Sequence, residues 1–575
     1  MQIISRHFTF KSIAMWLSLL LCELNLLVMH YYILTTSHFL WESKNFNLYI
    51  ENFISCTFDI CFLFIIFYYA SGKKQKAALI ICFFITLTWS LSSVLYSRFF
   101  HQYLSLSAIE QFSALYNGVV LKCVIEGLRL TDCYYIFSTF IFLFIIKQSK
   151  QSKTRICNIF YLIALSLVFD ILSFASYHTK GLHKKFMASY YNRHFSYRDI
   201  YSFPSSSHFV RGSIRMIIFE ILDTSGNRLK LSEDQINDIK QMIEKSRTIP
   251  SESEKSTKIS KSTNIIFIIV ESYMSFVSDM KVEGREVTPF LNTLKHDSTT
   301  YYNGKMHENI TIGESSDGQF IYMTGLLPIR SAVTVSKARN TTMPGLPQKI
   351  QKKSFMIIPT ESTMWNQDKM SRVYGFDNLY TSGDYEEGNL STLNDEQVFH
   401  LAMQKDMESK QPFFSVILTM SMHGPYTKQI EPTFPITSQS LPKDLACYLN
   451  ACHYTDIQLK KYFEHLKNTR LYENSLIVIA ADHCVHNTDF GGASKYIPFY
   501  LVNVPFTIRS KMWKDECNQI DVYSTLLELL EIKSEWYGLG NSLLSQSYKN
   551  NIETKKWDIS EWIIRSDYFS NPPKD

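Results

Sequence analysis

Two adjacent serines, Ser315 and Ser316, lie in the segment TIGESSDGQF (311–320), just ahead of an apolar run. A serine at a helix start is commonly an N-cap that satisfies a free backbone N–H. It becomes a nucleophile where a metal or a base activates its hydroxyl. Three other segments carry groups able to do that. Glu271 follows NIIFIIV (264–270), His423 comes after FFSVILTM (413–420), and Asp482–His483 comes after LIVIA (476–480). These short runs are almost continuously apolar, as strands buried on both faces are. In open α/β sheets, ligands bind beyond the carboxyl ends of the strands. A carboxylate, an Asp-His pair and a second histidine are therefore expected on one edge. That mixed oxygen and nitrogen set suits Mn2+ or Zn2+, and Mg2+ less well. Ser315, at a helix N-terminus whose N–H groups favour anions, completes the set. A metal there would create an alkoxide and neutralise a phosphoryl oxygen in the transition state. Singly, each group has a plainer reading as a cap, a loop carboxylate or a turn histidine. Only the combination points to chemistry. Ser316 is the rival nucleophile. Asp317 is expected to cap the helix or to orient Ser315. Cys484 is expected to lie behind the site, and His486 in a loop.

The elements that must position these groups are strands and helices in alternation. FMII (355–358) and FYLVNV (499–504) read as further buried strands, and DIQLKKYFEHLKN (456–468) as a helix between strands. The expectation is an α/β domain with a largely parallel central sheet. Ahead of it, five apolar runs approach the roughly 20 residues that cross a bilayer. They lie at 12–34, 51–70, 77–96, 131–146 and 156–177. Arg6 and Lys11, then Lys73, Lys74 and Lys76, then Lys147, Lys150, Lys153 and Arg155 flank alternate ends of these runs. The positive-inside rule places the N-terminus in the cytoplasm and everything after the fifth span outside, against a weaker cluster at Lys180, Lys184 and Lys185. Glu23, Asp59 and Asp170 fall inside the spans. Such acids either serve a function, for instance by meeting a lipid head group or Arg98, or hydrogen-bond between spans.

The expected domains are a transmembrane domain at 1–177, a membrane-surface and linker region at 178–263, a catalytic domain at 264–545 and a tail at 546–575. Within the second, LSEDQINDIKQMIEK (231–245) reads as a helix capped by Ser232. SESEKSTKISKST (251–263) reads as a linker open to proteolysis. The net charge of +5 over 575 residues is too small to suggest a nucleic-acid binder. No CxxC pair or zinc-finger spacing occurs, and Cys447 and Cys452, five apart on one expected helix, face different ways.

The segments NIIFIIVES, GESSDGQF, MWNQD, TMSMHGPY and LIVIAADH resemble, in order and approximate spacing, the lipoteichoic acid synthase-like proteins of the alkaline phosphatase and sulfatase superfamily. The multi-span anchor with an external domain is similar too. The resemblance implies one divalent metal, Mn2+ first, held by Glu271, Asp482 and His483 with the nucleophile as fourth ligand. The family's threonine nucleophile matches Ser315. Trp365 and His423 match residues that contact the head group. The family's Arg two residues after that Trp is Gln367 here, and a family His shortly before it is missing. Metal and nucleophile carry over; the choice of phosphoglycerol does not. The implied function moves a phospholipid head group, phosphoglycerol or phosphoethanolamine, through a phospho-serine intermediate to an external glycan or glycolipid acceptor. The alternatives are a hydrolase of the same fold and an inactive membrane sensor. Formylglycine sulfatases are disfavoured, because SSDGQ lacks the Pro and Arg that their motif requires.

Overall fold

The computed structural model describes residues 10–36, 46–100, 103–104, most of 125–148, isolated positions between 159 and 221, and most of 228–570. Within the last range, 248–258, 261, 331, 386–389, 391, 425, 427–428, 435–440, 486–489 and 491 are not described. Most of the expected fifth span, Asp170, the cluster Lys180, Lys184 and Lys185, the stretch 178–209, much of the 251–263 linker and His486 lie outside the described residues. The described residues divide into two compact units, one within the first 226 residues and the other from 227 onward.

In the first unit, α1 (Phe10–Thr36), α2 (Phe46–Ala70), α3 (Gln75–Phe100) and α4 (Cys133–Gln148) follow in order. Among the described residues, four stretches are long and apolar enough to cross a membrane, Ile13–Ile33, Asn52–Ala70, Gln75–Arg98 and Leu130–Gln148. Cys22, Leu26, Met29 and Ile33 of α1 are fully buried. Their spacing of four, three and four residues makes one stripe along a helix. Phe83 of α3 stacks on Phe142 of α4, with ring centroids 3.9 Å apart. The two described acids, Glu23 and Asp59, are met by donors of the same unit. Thr57 donates to Glu23 at 2.6 Å, and the backbone N–H of Ile214 donates to Asp59 at 2.9 Å. Arg98 does not pair with Asp59. It forms a bidentate pair with Asp132, at 2.6 and 2.8 Å. Arg98 ends α3 and Asp132 precedes α4, so the chain reversal brings them to one end, whereas Asp59 sits far from the ends of α2.

The second unit carries an eight-stranded sheet. Its strands are β1 (Asn264–Val270), β4 (Tyr301–His307), β5 (Lys353–Ile357), β6 (Asn378–Tyr380), β7 (Phe413–Leu418), β8 (Ser475–Ala481), β9 (Ile497–Val502) and β10 (Cys517–Asn518). Their order is β10-β4-β9-β8-β1-β7-β5-β6, and the two-residue strands β2 (Lys281–Val282) and β3 (Arg285–Glu286) pair separately. Only β9 runs against the others. The sheet is thus mixed but mostly parallel. Every residue of β1 and β8 is buried, because helices cover both faces of a parallel sheet. The five strands read from apolar runs are all present. β4 (YYNGKMH), with alternating burial, and the very short β6 and β10 lack such a run and gave no signal.

Four helices matter for the site or its support. α5 (Glu233–Arg247) starts as expected at Ser232, whose Oγ accepts from Gln235 N at 3.3 Å while Gln235 Oε1 accepts from Ser232 N at 2.9 Å. That reciprocal pair is a capping box. α6 (Ser315–Thr324) and α7 (Lys443–Asn468) belong to the site. α8 (Thr554–Ser566), in the expected tail, buries Ile559, Ile563 and Ile564, and Ser560 donates to Leu327 O at 2.6 Å.

Candidate active site

β1 and β8 are parallel neighbours with Val270 level with Ala481. The next residues, Glu271 and Asp482, therefore leave the sheet side by side. Ser272 N donates to Asp482 Oδ1 at 2.8 Å, and Ser272 Oγ donates to Glu271 Oε1 at 2.7 Å. Glu271 N donates to Thr419 Oγ1, at the end of β7, at 3.0 Å. His483 Nδ1 lies 2.7 Å from Cys484 O. A carbonyl only accepts, so Nδ1 carries a proton and Nε2 is the nitrogen turned toward the carboxylates. Nε2 stands 3.6 Å from both Glu271 Oε1 and Asp482 Oδ2.

Ser315 is the first residue of α6, not its N-cap; Glu314 holds that place at φ 46° and makes no side-chain cap. Ser315 Oγ lies 3.1 Å from Glu271 Oε2 and 3.0 Å from His483 Nε2. Ser316 Oγ donates to Gly313 O at 2.7 Å, and the residue is 1 % exposed. Asp317 turns back to accept from Thr311 N, Thr311 Oγ1 and Gly313 N at 3.0, 2.8 and 2.9 Å. It braces the turn that delivers Ser315. Gly318 lets α6 approach the metal edge: a Cβ there would fall 2.4 Å from Asp482 O. Tyr322 OH donates to Ala481 O and Gln519 Nε2 to Asp482 O, at 2.6 and 2.7 Å.

Glu271, Asp482 and His483 are buried, and one ligand atom from each lies within 4.8 Å of the others. Burial and the neighbouring Glu271 charge push the Asp482 carboxyl up to about 7. Burial opposes ionisation of Glu271 too, yet the imidazoles of His483 and His423 and the Ser272 hydroxyl hold its carboxyl below the usual range. Glu314 Oε2 adds a further acid 3.8 Å from His483 Nδ1. Buried acids crowded around an imidazole are what a divalent cation neutralises. The donor set fits such an ion, and these three residues form a possible metal site.

Two family models match the sequence, the lipoteichoic acid synthase N-terminal domain over residues 2–199 and the sulfatase family over residues 263–532. The chain is 26% identical to lipoteichoic acid synthase 2 of Bacillus subtilis over 556 residues, covering 90% of this chain and 82% of that one. The chain belongs to the lipoteichoic acid synthase family. It is accordingly a phosphotransferase of that type within the sulfatase and alkaline phosphatase superfamily. It is also 24% identical to the lipoteichoic acid synthase of Staphylococcus aureus, over 88% of this chain and 79% of that one. The integral membrane lipooligosaccharide phosphoethanolamine transferase A of Neisseria meningitidis shares the fold, with a TM-score of 0.53 and 13% identity over 94% of this chain and 97% of that one.

Beyond the cluster, the positions matched to the lipoteichoic acid synthase family fall in different places. His423 is exposed at the same edge, with Nδ1 2.6 Å from Gly424 O. Trp365 is half-buried and, with Asn366, adopts a left-handed backbone at φ 50° and 54°. Gln367 is 4 % exposed, and its Nε2 donates to Gln319 Oε1 of α6 at 2.8 Å. It ties the Trp365 turn to the helix that carries Ser315. Cys484 is fully buried, and its backbone N–H donates to Glu308 Oε2 at 2.6 Å. Sequence reasoning passed over Ser272, Thr419, Gly318 and Asp395. Buried Asp395 accepts from Met420 N at 2.7 Å, Ser421 N at 2.8 Å and Thr455 Oγ1 at 2.6 Å, which anchors the segment leading to His423. Only Ser272, next to Glu271, had a positional signal.

Proposed function

We propose that this chain transfers the head group of a phospholipid to an external glycan or glycolipid hydroxyl through a phospho-serine on Ser315. Phosphoglycerol is the favoured head group, since the relatives that match nearly the whole chain are named lipoteichoic acid synthases; phosphoethanolamine is the alternative. The observation that carries the reading is the Ser315 hydroxyl at 3.1 and 3.0 Å from Glu271 and His483, inside a buried acidic cluster. Glu271, Asp482, His483 and Ser315 would hold the metal, with Mn2+ preferred over Zn2+ or Mg2+. A bound dication supplies Lewis acidity to the phosphoryl oxygens and lowers the pKa of the serine hydroxyl.

The chain's own groups do the rest. Ser315 Oγ, entering and later leaving as the alkoxide, forms a bond to phosphorus as the bond to the diacylglycerol oxygen breaks. His423 gives that oxygen its proton. In the second half, His423 takes the proton of the acceptor hydroxyl, which bonds to phosphorus as Ser315 Oγ leaves. Trp365 lines the head-group position. Gln367, held inward by Gln319, does not replace the family's arginine. Residues 264–545 form the catalytic domain on the outer face of a cytoplasmic membrane, with the N-terminus inside. This keeps the site on the side where the lipid donor is presented.

The test is intact mass of the full chain with Mn2+ and either phosphatidylglycerol or phosphatidylethanolamine, beside Ser315→Ala. An adduct on the wild type only, with the mass of one head group, is expected. Diacylglycerol release without an adduct would favour the hydrolase. Neither adduct nor release with either lipid would sink the reading.

A further inference from the structure

Ser272 stands between the two carboxylates of the candidate metal site. Its backbone N–H binds Asp482 Oδ1 and its hydroxyl binds Glu271 Oε1. One residue therefore sets the spacing of both acids. It does so at φ 49°, a left-handed conformation rarely adopted by a residue with a side chain. Such a conformation persists only where the surroundings hold it.

Tyr448, on α7, reaches Ser272 from 176 residues away in sequence. Its hydroxyl donates to Ser272 O at 2.8 Å and accepts from Met274 N at 3.0 Å. One oxygen thus closes the turn that follows Glu271. The ring is fully buried, stacked on Phe490 with centroids 4.7 Å apart and edge-on to Tyr426 at 5.1 Å. The hydroxyl is therefore fixed in place by packing that has no need of it. The mechanism uses neither Ser272 nor Tyr448 directly.

We propose that Tyr448 is a positioning residue that sets the metal affinity of the site by locking the Ser272 turn. This rests on the metal-dependent reading above. Without the hydroxyl, the Ser272 carbonyl loses its partner and the turn relaxes toward ordinary φ. The N–H and the hydroxyl of Ser272 then leave Asp482 and Glu271, and the two acids no longer converge. Changes to groups that orient metal ligands weaken binding by roughly 10 to 100-fold.

The experiment titrates the chelator-stripped full-length chain with Mn2+ alone and with Zn2+ alone, against a chromophoric chelator, and records the Tm of the metal-free protein. Tyr448→Phe keeps the ring and removes only the hydroxyl. It is expected to raise the metal Kd by about 10-fold or more while the metal-free Tm stays level with that of Tyr523→Phe. Tyr523→Phe is the control: its equally buried hydroxyl donates to Pro344 O at 2.8 Å, away from Ser272. Its Kd is expected to match the wild type. An unchanged Kd in Tyr448→Phe overturns the proposal, as does an equal loss in Tyr523→Phe. A wild-type chain that binds neither ion removes the metal-site reading, and the role of Tyr448 falls with it.

Discussion

Ser315 and Ser316 are chemically identical, yet their hydroxyls meet different surroundings. One faces Glu271 and His483; the other is tied to Gly313 O. Ser315→Ala is therefore expected to lower head-group transfer by about 10³-fold or more. Ser316→Ala should stay within about tenfold of the wild type, since it removes only one backbone hydrogen bond. Diacylglycerol release from labelled lipid measures both. Metal affinity should also depend on pH. Asp482 must be deprotonated to bind a cation, and its carboxyl in the metal-free chain is pushed up to about 7. Protons then compete with the metal, so affinity is expected to fall as pH drops through about 7. A Kd for Mn2+ independent of pH across that range would count against ligation by Asp482.

At the scale of elements, the site depends on how closely α6 approaches the ends of β1 and β8. Gly318 sits where a Cβ would come within 2.4 Å of a backbone oxygen. Backbone cannot swing aside as a flexible side chain can. Gly318→Ala is expected to destabilise the catalytic unit by about 1–3 kcal/mol and to reduce turnover by shifting Ser315 from Glu271. A variant with wild-type Tm and activity would show that α6 has room to spare. In the membrane unit, Arg98 and Asp132 form a buried pair. Asp132→Asn strands the buried guanidinium, at about 3–5 kcal/mol. The expected readout is a lower Tm of the full chain in nanodiscs, with metal affinity unchanged.

At the scale of the whole catalytic unit, burial holds several carboxyls above their ordinary range. Burial pushes the carboxyls of Asp406 and Asp456 up to about 7 and those of Asp317 and Asp521 up to about 6. Their folded values exceed the unfolded one, so the folded state binds more protons over the interval between them. Stability from these groups is complete below the unfolded value and is lost as pH rises through 6 to 7. The Tm of the chelated chain is expected to fall between about pH 5 and pH 8. Asp406→Asn should flatten that slope, since Tyr462 donates to Asp406 in the fully buried interior. An unchanged slope would assign the pH dependence elsewhere.

The sequence by itself determined the five apolar strands, the apolar runs ahead of them and the order of the candidate ligands. Two-sided burial forces a continuous apolar run, so a polar residue just after it marks a strand end. NIIFIIV and LIVIA could be read in this way, and so could Glu271 and Asp482–His483. What only the tertiary structure decided was adjacency. Glu271 meets Thr419 across 148 residues, and Ser272 meets Asp482 across 210. Those meetings follow from strand order and register, which local patterns do not encode. The same holds for which serine faces the acids, for Asp132 rather than Asp59 as the partner of Arg98, and for Gln367 turning inward to Gln319. A side chain's direction at a helix start or a strained turn is fixed by what packs against it, and those partners lie far away along the chain.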